Sequence, residues 1–258
     1  MPVPESLICE ITIFSVAPSA ASTGTSAAVT VALVGALDQL TPGSLTPYQV
    51  AMAAQIIETE ILHQQCGIQD QICSAYGGIN FIEMDDYPHA TVSPVHVSED
   101  IWWELERRLV LIYLGKSHYS SEIHEMVIKS LEDAGPDCKQ LNDLRITAEG
   151  SRDALCNGDF ATFGETMIEN TQAQARLHPQ LVNTDAECIF EIARQYGALG
   201  WKVNGAGGNG GSVIILCNES SNKKRSMIHE IEQEKPHYKN VPIQLSRYGL
   251  CVWKQALI

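Results

Sequence analysis

The sequence of 258 residues predicts an α+β protein with two domains. Segments with strand-like alternation and segments with helical spacing of apolar residues follow one another without the regular βαβ order of an α/β protein. An apolar content of 45% is enough for a sizeable core. The charge also changes along the chain, because no Lys or Arg precedes Arg107 whereas 13 of the 31 acidic residues do. We therefore predict domains over residues 1–92 and 93–258.

The predicted first domain begins with a strand, a loop and a helix. "CEITIFSVAP" alternates as a strand, and the small residues of "SAASTGTS" cannot form a core and indicate a loop. "AAVTVALVGAL" is an apolar helix for which Thr25 or Ser26 is the predicted N-cap. This order suits an anion site, since the unpaired amide groups at a helix N-terminus attract negative charge.

A second helix is predicted to begin with Thr46 as N-cap and Pro47 in the first turn, and to end before Gly67. Strands are expected at "INFIEM" and "TVSPVHV", and Ser98 begins another helix.

The predicted second domain mixes buried strands with helices. "LVLIYLG" is a buried strand, and long segments with helical spacing follow it. Thr184 and Glu187 predict a capping box, and Gly197 predicts the end of the helix that it opens. The final "VPIQLSRYGLCVWKQ" alternates as edge or closing strands.

Charge and composition exclude several classes of partner. A first half without cations cannot attract a nucleic-acid backbone, so phosphate bound there must meet backbone amides and a metal ion. The longest apolar run, "SAAVTVALVGAL", is shorter than the roughly 20 residues that span a bilayer. Glu5 and Glu10 stand where a signal peptide would be basic. The eight cysteines include no C-x-x-C pair, so we expect free, mostly buried thiols in a cytoplasmic protein.

The stretch "KVNGAGGNGGSVIIL" contains glycines spaced as G-x-G-x-x-G, the dinucleotide fingerprint. That fingerprint needs a helix after the glycines, whereas "SVIILC" is a β-branched apolar run that predicts a strand. A Rossmann oxidoreductase is therefore disfavoured, and the glycines indicate a close approach of the backbone to another group. Lys202, just before them, is expected to be solvated, with a phosphate contact as the alternative.

Three carboxylates, those of Glu58, Glu60 and Asp70, lie in the block "IETEILHQQCGIQDQICSAYGGIN". Asp70 near the start of a helix can be a simple N-terminal charge that stabilises the helix by about 0.3 to 1 kcal/mol. The functional alternative makes Glu58 a ligand of a hard cation and Asp70 a general base. Spacing alone leaves both alternatives open.

Several segments resemble the GHMP kinases, the family of galactokinase, homoserine kinase, mevalonate kinase and phosphomevalonate kinase. "GIQDQICSAYGGIN" is similar to the G-x-x-D-Q segment of the branch with bacterial D-glycero-D-manno-heptose 7-phosphate kinase and L-fucose kinase. "KVNGAGGNGGSVIIL" resembles the third family motif, and "APSAASTGTSAAVTVAL" resembles the second, the phosphate loop. "RRLVLIYLGKSHYSSEIHEMV" and "NGDFATFGETMIENTQAQARL" are similar to the same branch, so the resemblance covers nearly the whole chain.

The resemblance implies a fold, an activity and a set of site residues. The fold would be a ribosomal S5 domain 2-like ATP-binding domain followed by a ferredoxin-like domain. The activity would be transfer of the γ-phosphate of ATP, with Mg²⁺, to a hydroxyl of a sugar or sugar phosphate of the heptose-7-phosphate or fucose type. The partner would be that small molecule, with neither nucleic acid nor membrane, and the protein would be a monomer or homodimer.

By position, Asp70 matches the catalytic base, and Ser26 and Glu58 match the metal ligands. The phosphate-binding positions and the glycine loop on the substrate side are, in order, Pro18, Ser22, Gly24, Thr25, Ser26 and Ala27, then Gly205, Ala206, Gly207 and Gly208.

Two departures from the family pattern suggest an alternative. The family's phosphate loop usually reads P-x-G-x-G-L-G-[ST]-S. Here the matching positions carry Ala20, Ser22 and Thr23, and of the glycines only Gly24 is kept. A Cβ at a position that needs positive φ costs on the order of 1 to 3 kcal/mol. The first family motif has no counterpart, so the N-terminal domain is expected to be incomplete. The alternative is a truncated, catalytically impaired homologue that acts only as a binding or structural protein.

Overall fold

The computed structural model describes residues 8–17, 21–41, 44–115, 120–131, 138–205, 207 and 210–254, of which 85 and 120–124 are described by their backbone alone. Helices and antiparallel sheets occur together, which confirms the α+β class. Two compact units are distinguished. The first lies within Met1–Pro18, Gly24–Pro94 and Ser246–Ile258, and the second within Ser19–Thr23 and Val95–Leu245.

In its described residues, the first unit packs three α-helices and a β-hairpin around a small apolar core. Its elements are α1 (Thr25–Asp38), α2 (Pro47–Ile56), a π-helical turn (Ile57–Ile61), α3 (Gln69–Tyr76), β1 (Asn80–Asp86) and β2 (His89–Pro94). The core contains Val31, Val50, Ala51, Ala54, Ile68, Ile72 and Ala75. Thr46 caps α2 as predicted, because its hydroxyl accepts from Gln49 N at 3.3 Å and Thr46 N donates to Gln49 Oε1 at 2.9 Å.

Two predicted strands of the termini are absent from the described residues. Segment 8–17 forms no strand, although it alternates in sequence. Its apolar side chains are exposed on both faces, for example 96% for Ile8 and 86% for Phe14, so neither face is buried by the described residues. The C-terminal prediction is wrong for most of its length, since a strand ends at Val241 and residues 242–254 form none.

The second unit is built on a four-stranded antiparallel sheet with helices. Its strands are β3 (Leu109–Tyr113), β4 (Gly200–Val203), β5 (Ser212–Leu216) and β6 (Lys239–Val241), in the order β4-β5-β3-β6. Its helices are α4 (Glu99–Arg108), α5 (Ser120–Ser130), α6 (Lys139–Asn157), α7 (Phe160–Leu177), a 3-10 turn (Pro179–Leu181), α8 (Thr184–Gln195) and α9 (Ser221–Glu234). Strand residues such as Ile112 and Ile215 share a core with Ile189 of α8 and Ile231 of α9.

Helix caps in the second unit were predicted with mixed success. Ser98 caps α4 by accepting from Ile101 N at 3.3 Å, and Gly197 follows α8 with a φ of +72° as predicted. The predicted capping box at Thr184 is wrong by one residue, because Asn183 is the N-cap of α8. Its side-chain oxygen accepts from Ala186 N at 2.8 Å, and Asn suits this position better than Thr.

None of the described helices is both long enough and apolar enough to cross a membrane. The cysteines are free thiols, as predicted, but only Cys138 and Cys217 are buried, so the expectation of mostly buried thiols was wrong.

Candidate active site

Helix α1 starts at a glycine rather than at a hydroxyl residue. Gly24 is the N-cap in the left-handed conformation, with φ of +68° and ψ of 20°, so the predicted N-cap at Thr25 or Ser26 is wrong. Because a glycine has no side chain, the N-cap position supplies no side-chain acceptor to the first amides of α1. Thr25, Ser26 and Ala27 then form the first turn, where backbone N–H groups point out of the helix and can meet an anion.

Glu58 lies buried between three elements of the first unit. It is 3% exposed and sits in the π-helical turn that continues α2. Its carboxylate accepts hydrogen bonds from Ser26 Oγ of α1 and from Gln71 Nε2 of α3. A π-helical turn shifts the side-chain register of a helix and is common at functional sites. The turn thus directs a carboxylate toward the first turn of α1.

Asp70 lies beside the start of α1. It occupies the first turn of α3, and a Cβ added to Gly24 would lie 3.2 Å from Asp70 Cγ and 3.4 Å from Asp70 Oδ2. The Asp70 carboxyl therefore packs against the α-carbon of the N-cap of α1. The first unit brings together Gly24, Ser26, Glu58 and Asp70, four residues that the sequence singled out.

The Ser26 and Glu58 oxygens are a donor set that suits a hard divalent cation. Mg²⁺ in phosphate sites is commonly held by one or two carboxylates together with phosphate oxygens. The described residues contain no cluster of three or more His, Cys, Asp or Glu that could hold a metal by itself. An ion here would consequently need ligand oxygens to complete its shell, as a nucleotide provides. The buried Gln71 Oε1, which has no hydrogen-bond partner among the described residues, leaves an acceptor next to this pair.

The neighbouring thiol of Cys66 is poorly suited to bind a metal ion or to act as a nucleophile at this site. Burial, followed by the Glu58 carboxylate, raises the pKa of Cys66, and a hydrogen bond with Gln71 opposes that rise. A thiol with a raised pKa stays protonated and is a weak nucleophile and metal ligand.

In the second unit, Ala21 contacts the start of β5 and Ser22 contacts the predicted glycine loop. Ser212 Oγ, at the start of β5, donates to Ala21 O at 2.6 Å. A Cβ added to Gly205 would lie 3.2 Å from Ser22 Cβ. Ser22 has a φ of +55°, and Gly205 has a φ of +59°. Gly207 is required twice over, since its φ is +60° and a Cβ there would lie 1.9 Å from Leu181 O.

Strand β5 follows these glycines, antiparallel to β3 and β4, where a dinucleotide fingerprint requires a helix. The structure therefore excludes the Rossmann interpretation of the motif. Of the predicted site residues, Pro18, Ala206 and Gly208 lie outside the described residues.

Sequence reasoning missed the half-buried position of Lys202 and the burial of Gln71. Lys202 Nζ donates to Gln174 Oε1 at 3.0 Å and to Val203 O at 3.3 Å, and burial lowers its pKa to about 8, so the solvated lysine was a wrong expectation. Gln71 is 1% exposed. Helical spacing could have found it, because it follows Ile68 by three positions on the buried face of α3.

Two family models match the chain in order. The model of the GHMP kinases N terminal domain matches residues 5–78, and the model of the GHMP kinases C terminal domain matches residues 151–230.

Curated relatives are kinases of several substrates. The chain is 25% identical to D-glycero-alpha-D-manno-heptose 7-phosphate kinase of Campylobacter jejuni, over 93% of this chain and 69% of that protein. It is 26% identical to the bifunctional fucokinase/GDP-fucose pyrophosphorylase of Arabidopsis thaliana, over 91% of this chain and 22% of that protein. It is 29% identical to mevalonate kinase of Thermococcus sibiricus, over 84% and 62%.

Solved structures share the fold. Lactococcus lactis galactokinase complexed with galactose has a TM-score of 0.65 at 16% identity, over 90% of this chain and 67% of that chain. L. major mevalonate kinase in complex with R-mevalonate has a TM-score of 0.64 at 22% identity, over 84% and 64%. The chain spans about two thirds or less of the length of these relatives, from 22% to 69%. Its two matched domains, their order and its fold show that the chain belongs to the GHMP kinase family.

Proposed function

We propose that this chain transfers the γ-phosphate of ATP to a hydroxyl group of a sugar or sugar phosphate. The observation that carries the proposal is the grouping in the first unit of a helix N-terminus, a Ser26 hydroxyl that donates to the buried Glu58 carboxylate, and an Asp70 carboxyl that packs on Gly24. Phosphoryl transfer needs mainly positioning and neutralisation of charge, and this grouping offers groups for both.

Charge supports backbone and metal binding of the phosphates. Within Gly24–Pro94 the sequence has no Lys or Arg, so side-chain cations of that segment cannot neutralise a triphosphate. We propose that the amides of Gly24, Thr25, Ser26 and Ala27 bind phosphate oxygens, as helix N-termini do. Mg²⁺ held by Ser26 and Glu58 would supply the remaining positive charge.

Asp70 is proposed as the general base. Its carboxylate would accept the proton of the attacking hydroxyl as the new bond from that oxygen to the γ-phosphorus forms and the bond to the β-phosphate oxygen breaks, releasing ADP. A carboxylate in the first turn of α3 and beside the start of α1 can face a group bound at that start.

The substrate class rests on relatives. The heptose 7-phosphate kinase and the fucokinase are each matched over more than 90% of this chain. We propose a heptose phosphate or fucose, in the cytoplasm, where ATP is abundant. On the resemblance alone, Pro18 and Ser22 belong to the phosphate site and residues 205–208 to the substrate side.

The test is binding and transfer by the full chain. Calorimetry should show ATP binding that depends on Mg²⁺, and ADP release should depend on one member of a panel of heptose 7-phosphate, fucose, galactose and mevalonate. Asp70→Asn should lower kcat by about 100- to 10,000-fold while ATP still binds. Glu60→Gln is the matched control, because it removes one negative charge from an exposed residue two positions after Glu58. It should leave kcat unchanged. Unchanged transfer by Asp70→Asn would refute the proposed base.

A second function is favoured by the strained loop position. Ser22 carries a side chain at a φ of +55°, and that side chain hinders the close phosphate approach that glycine permits. A catalytically impaired homologue that acts only as a binding or structural protein would show no sugar-dependent ADP release with any member of the panel, even if it binds ATP.

A further inference from the structure

Gln71 is a buried side chain whose amide group contacts the Glu58 carboxylate. It lies in the first half of α3, is 1% exposed, and donates through Nε2 to Glu58 Oε2. The same nitrogen lies 3.6 Å from Cys66 Sγ. The orientation of the amide is determined by charge, because the opposite orientation would set its carbonyl oxygen against a carboxylate.

The carbonyl oxygen of the same amide lacks a hydrogen-bond partner in the described part of the chain. Gln71 Oε1 is buried, and no hydrogen bond to it exists among the described residues. Leaving a buried acceptor unsatisfied costs about 1 to 3 kcal/mol, so native structures rarely keep one without a reason. A group that is not part of the described protein, such as water or a hydrated ligand, would satisfy it.

We propose that Gln71 is a positioning residue of the metal and phosphate site. Its NH₂ group fixes the Glu58 carboxylate beside the Ser26 hydroxyl, and its carbonyl oxygen accepts a hydrogen bond from water that arrives with the metal ion. The inference rests on the proposed function, because it concerns the same Ser26 and Glu58 pair. The proposed role requires the amide group at position 71, and a buried side chain of another type would not fill it.

The chemistry of the position favours an amide over other side chains. A hydrogen bond to a charged carboxylate is stronger than one between neutral groups, and it holds the carboxylate in one orientation. A second carboxylate at residue 71 would repel Glu58, and a hydrocarbon would leave a buried charge with one donor fewer. An amide offers a donor to Glu58 and, on a second atom, an acceptor to bound water at once.

The experiment titrates Mg²⁺ into the full chain in the presence of ATP. Gln71→Met keeps the length of the side chain and removes both polar atoms. The Mg²⁺ concentration at half-saturation of ATP binding, measured by calorimetry, should rise by about 10- to 100-fold, the usual cost of losing a group that orients a metal ligand. At saturating Mg²⁺, kcat should recover most of the wild-type value. Gln71→Glu should be worse than Gln71→Met.

Two glutamines of the same unit serve as controls. Gln69→Met changes an exposed glutamine of the same helix. Gln55→Met changes a glutamine that is 3% exposed and donates to Tyr87 OH at 2.7 Å, so it reports the cost of removing a buried amide as such. Neither control should change the Mg²⁺ requirement, although Gln55→Met should lower the melting temperature.

A double-mutant cycle tests whether Gln71 acts through Glu58. In a Glu58→Gln background, Gln71→Met should raise the Mg²⁺ requirement no further. If Gln71→Met does not fold, Gln71→Asn, which keeps the amide but shortens its reach, should show a smaller loss of the same kind. A wild-type Mg²⁺ requirement in Gln71→Met, or the same loss in both backgrounds, would overturn the inference while the kinase proposal stands. Failure of the wild-type chain to bind ATP with Mg²⁺ would overturn both.

Discussion

Gly24→Ala tests the contact between the start of α1 and Asp70. The new Cβ would lie 3.2 Å from Asp70 Cγ and 3.3 Å from Asp70 Cβ, so the Asp70 side chain must move by a few tenths of an ångström. The φ of +68° also costs an alanine about 1 to 2 kcal/mol. The lower backbone entropy of unfolded alanine returns about 0.5 to 1 kcal/mol. We expect a net loss of about 0.5 to 1.5 kcal/mol of the free energy of unfolding.

Gly158→Ala is an unusually close control for this substitution. Gly158 caps the end of α6 with the same φ of 68° and ψ of 20° as Gly24, and a Cβ there would lie 3.2 Å from Ile101 Cδ1. Both variants should lose similar stability in urea unfolding. Only Gly24→Ala displaces a proposed catalytic carboxylate.

Kinetics separate the two variants. Misplacement of a reacting group by a fraction of an ångström to 1 Å can lower a rate by up to about 100-fold. We expect kcat to fall by about 10- to 100-fold in Gly24→Ala and to stay at the wild-type value in Gly158→Ala, with phosphate transfer measured by ADP release. Equal kcat values in the two variants, at equal loss of stability, would refute the argument that Asp70 must remain against Gly24.

Three further predictions concern stability. Ser22→Gly should raise the free energy of unfolding by about 0.5 to 1 kcal/mol in thermal melts, because Ser22 holds a φ of +55° and the relief of strain exceeds the entropy cost of glycine; a lower melting temperature would contradict this. Lys202→Met should stabilise the protein by about 1 to 3 kcal/mol at pH 7. Because the folded pKa of Lys202 is lowered from 10.5 to about 8, the wild type itself gains stability as pH rises between these values, so the advantage of the variant should shrink toward pH 10 in urea titrations; a constant advantage would count against burial as the cause. Asn183→Ala should cost about 1 kcal/mol in urea unfolding, and Thr184→Ala clearly less, because Asn183 is the N-cap of α8; the reverse order would restore the predicted capping box.

Local signals in the sequence predicted much of the fold. Thr46 with Pro47, Ser98 and Gly197 each act through neighbours within four residues, so their chemistry is visible in a short stretch of sequence. The strand after the glycines was predicted for the same reason, since its β-branched run is local. The predictions of the terminal strands were wrong because alternation shows only that a segment could place apolar and polar side chains on opposite faces of a sheet. Whether another strand pairs with residues 8–17 depends on contacts that alternation does not encode.

The sequence singled out residues of the candidate site, but it predicted only part of how they are arranged in space. The resemblance singled out Ser26, Glu58 and Asp70, yet no spacing rule predicts that Glu58 reaches Ser26 through a π-helical turn. Gln71 adjoins Asp70 in sequence, and its importance became visible only through the burial of its amide. Lys202 shows the converse, because a charged residue in a strand is expected to face water unless the packing around it is known.

Ser22, which departs from the family's loop pattern, contacts Gly205, which keeps the glycine of the third motif. Ser22 carries a side chain at a φ of +55°, and its Cβ lies against Gly205, where another Cβ would approach to 3.2 Å. Because Gly205 has no side chain, there is room for the Ser22 side chain. A glycine at position 22 would not need that room. Ser212 Oγ holds the preceding residue through Ala21 O at 2.6 Å, which keeps Ser22 in this strained conformation. The Ser22 side chain therefore depends on the absence of one at Gly205, so Gly205 is less replaceable than the motif alone would suggest.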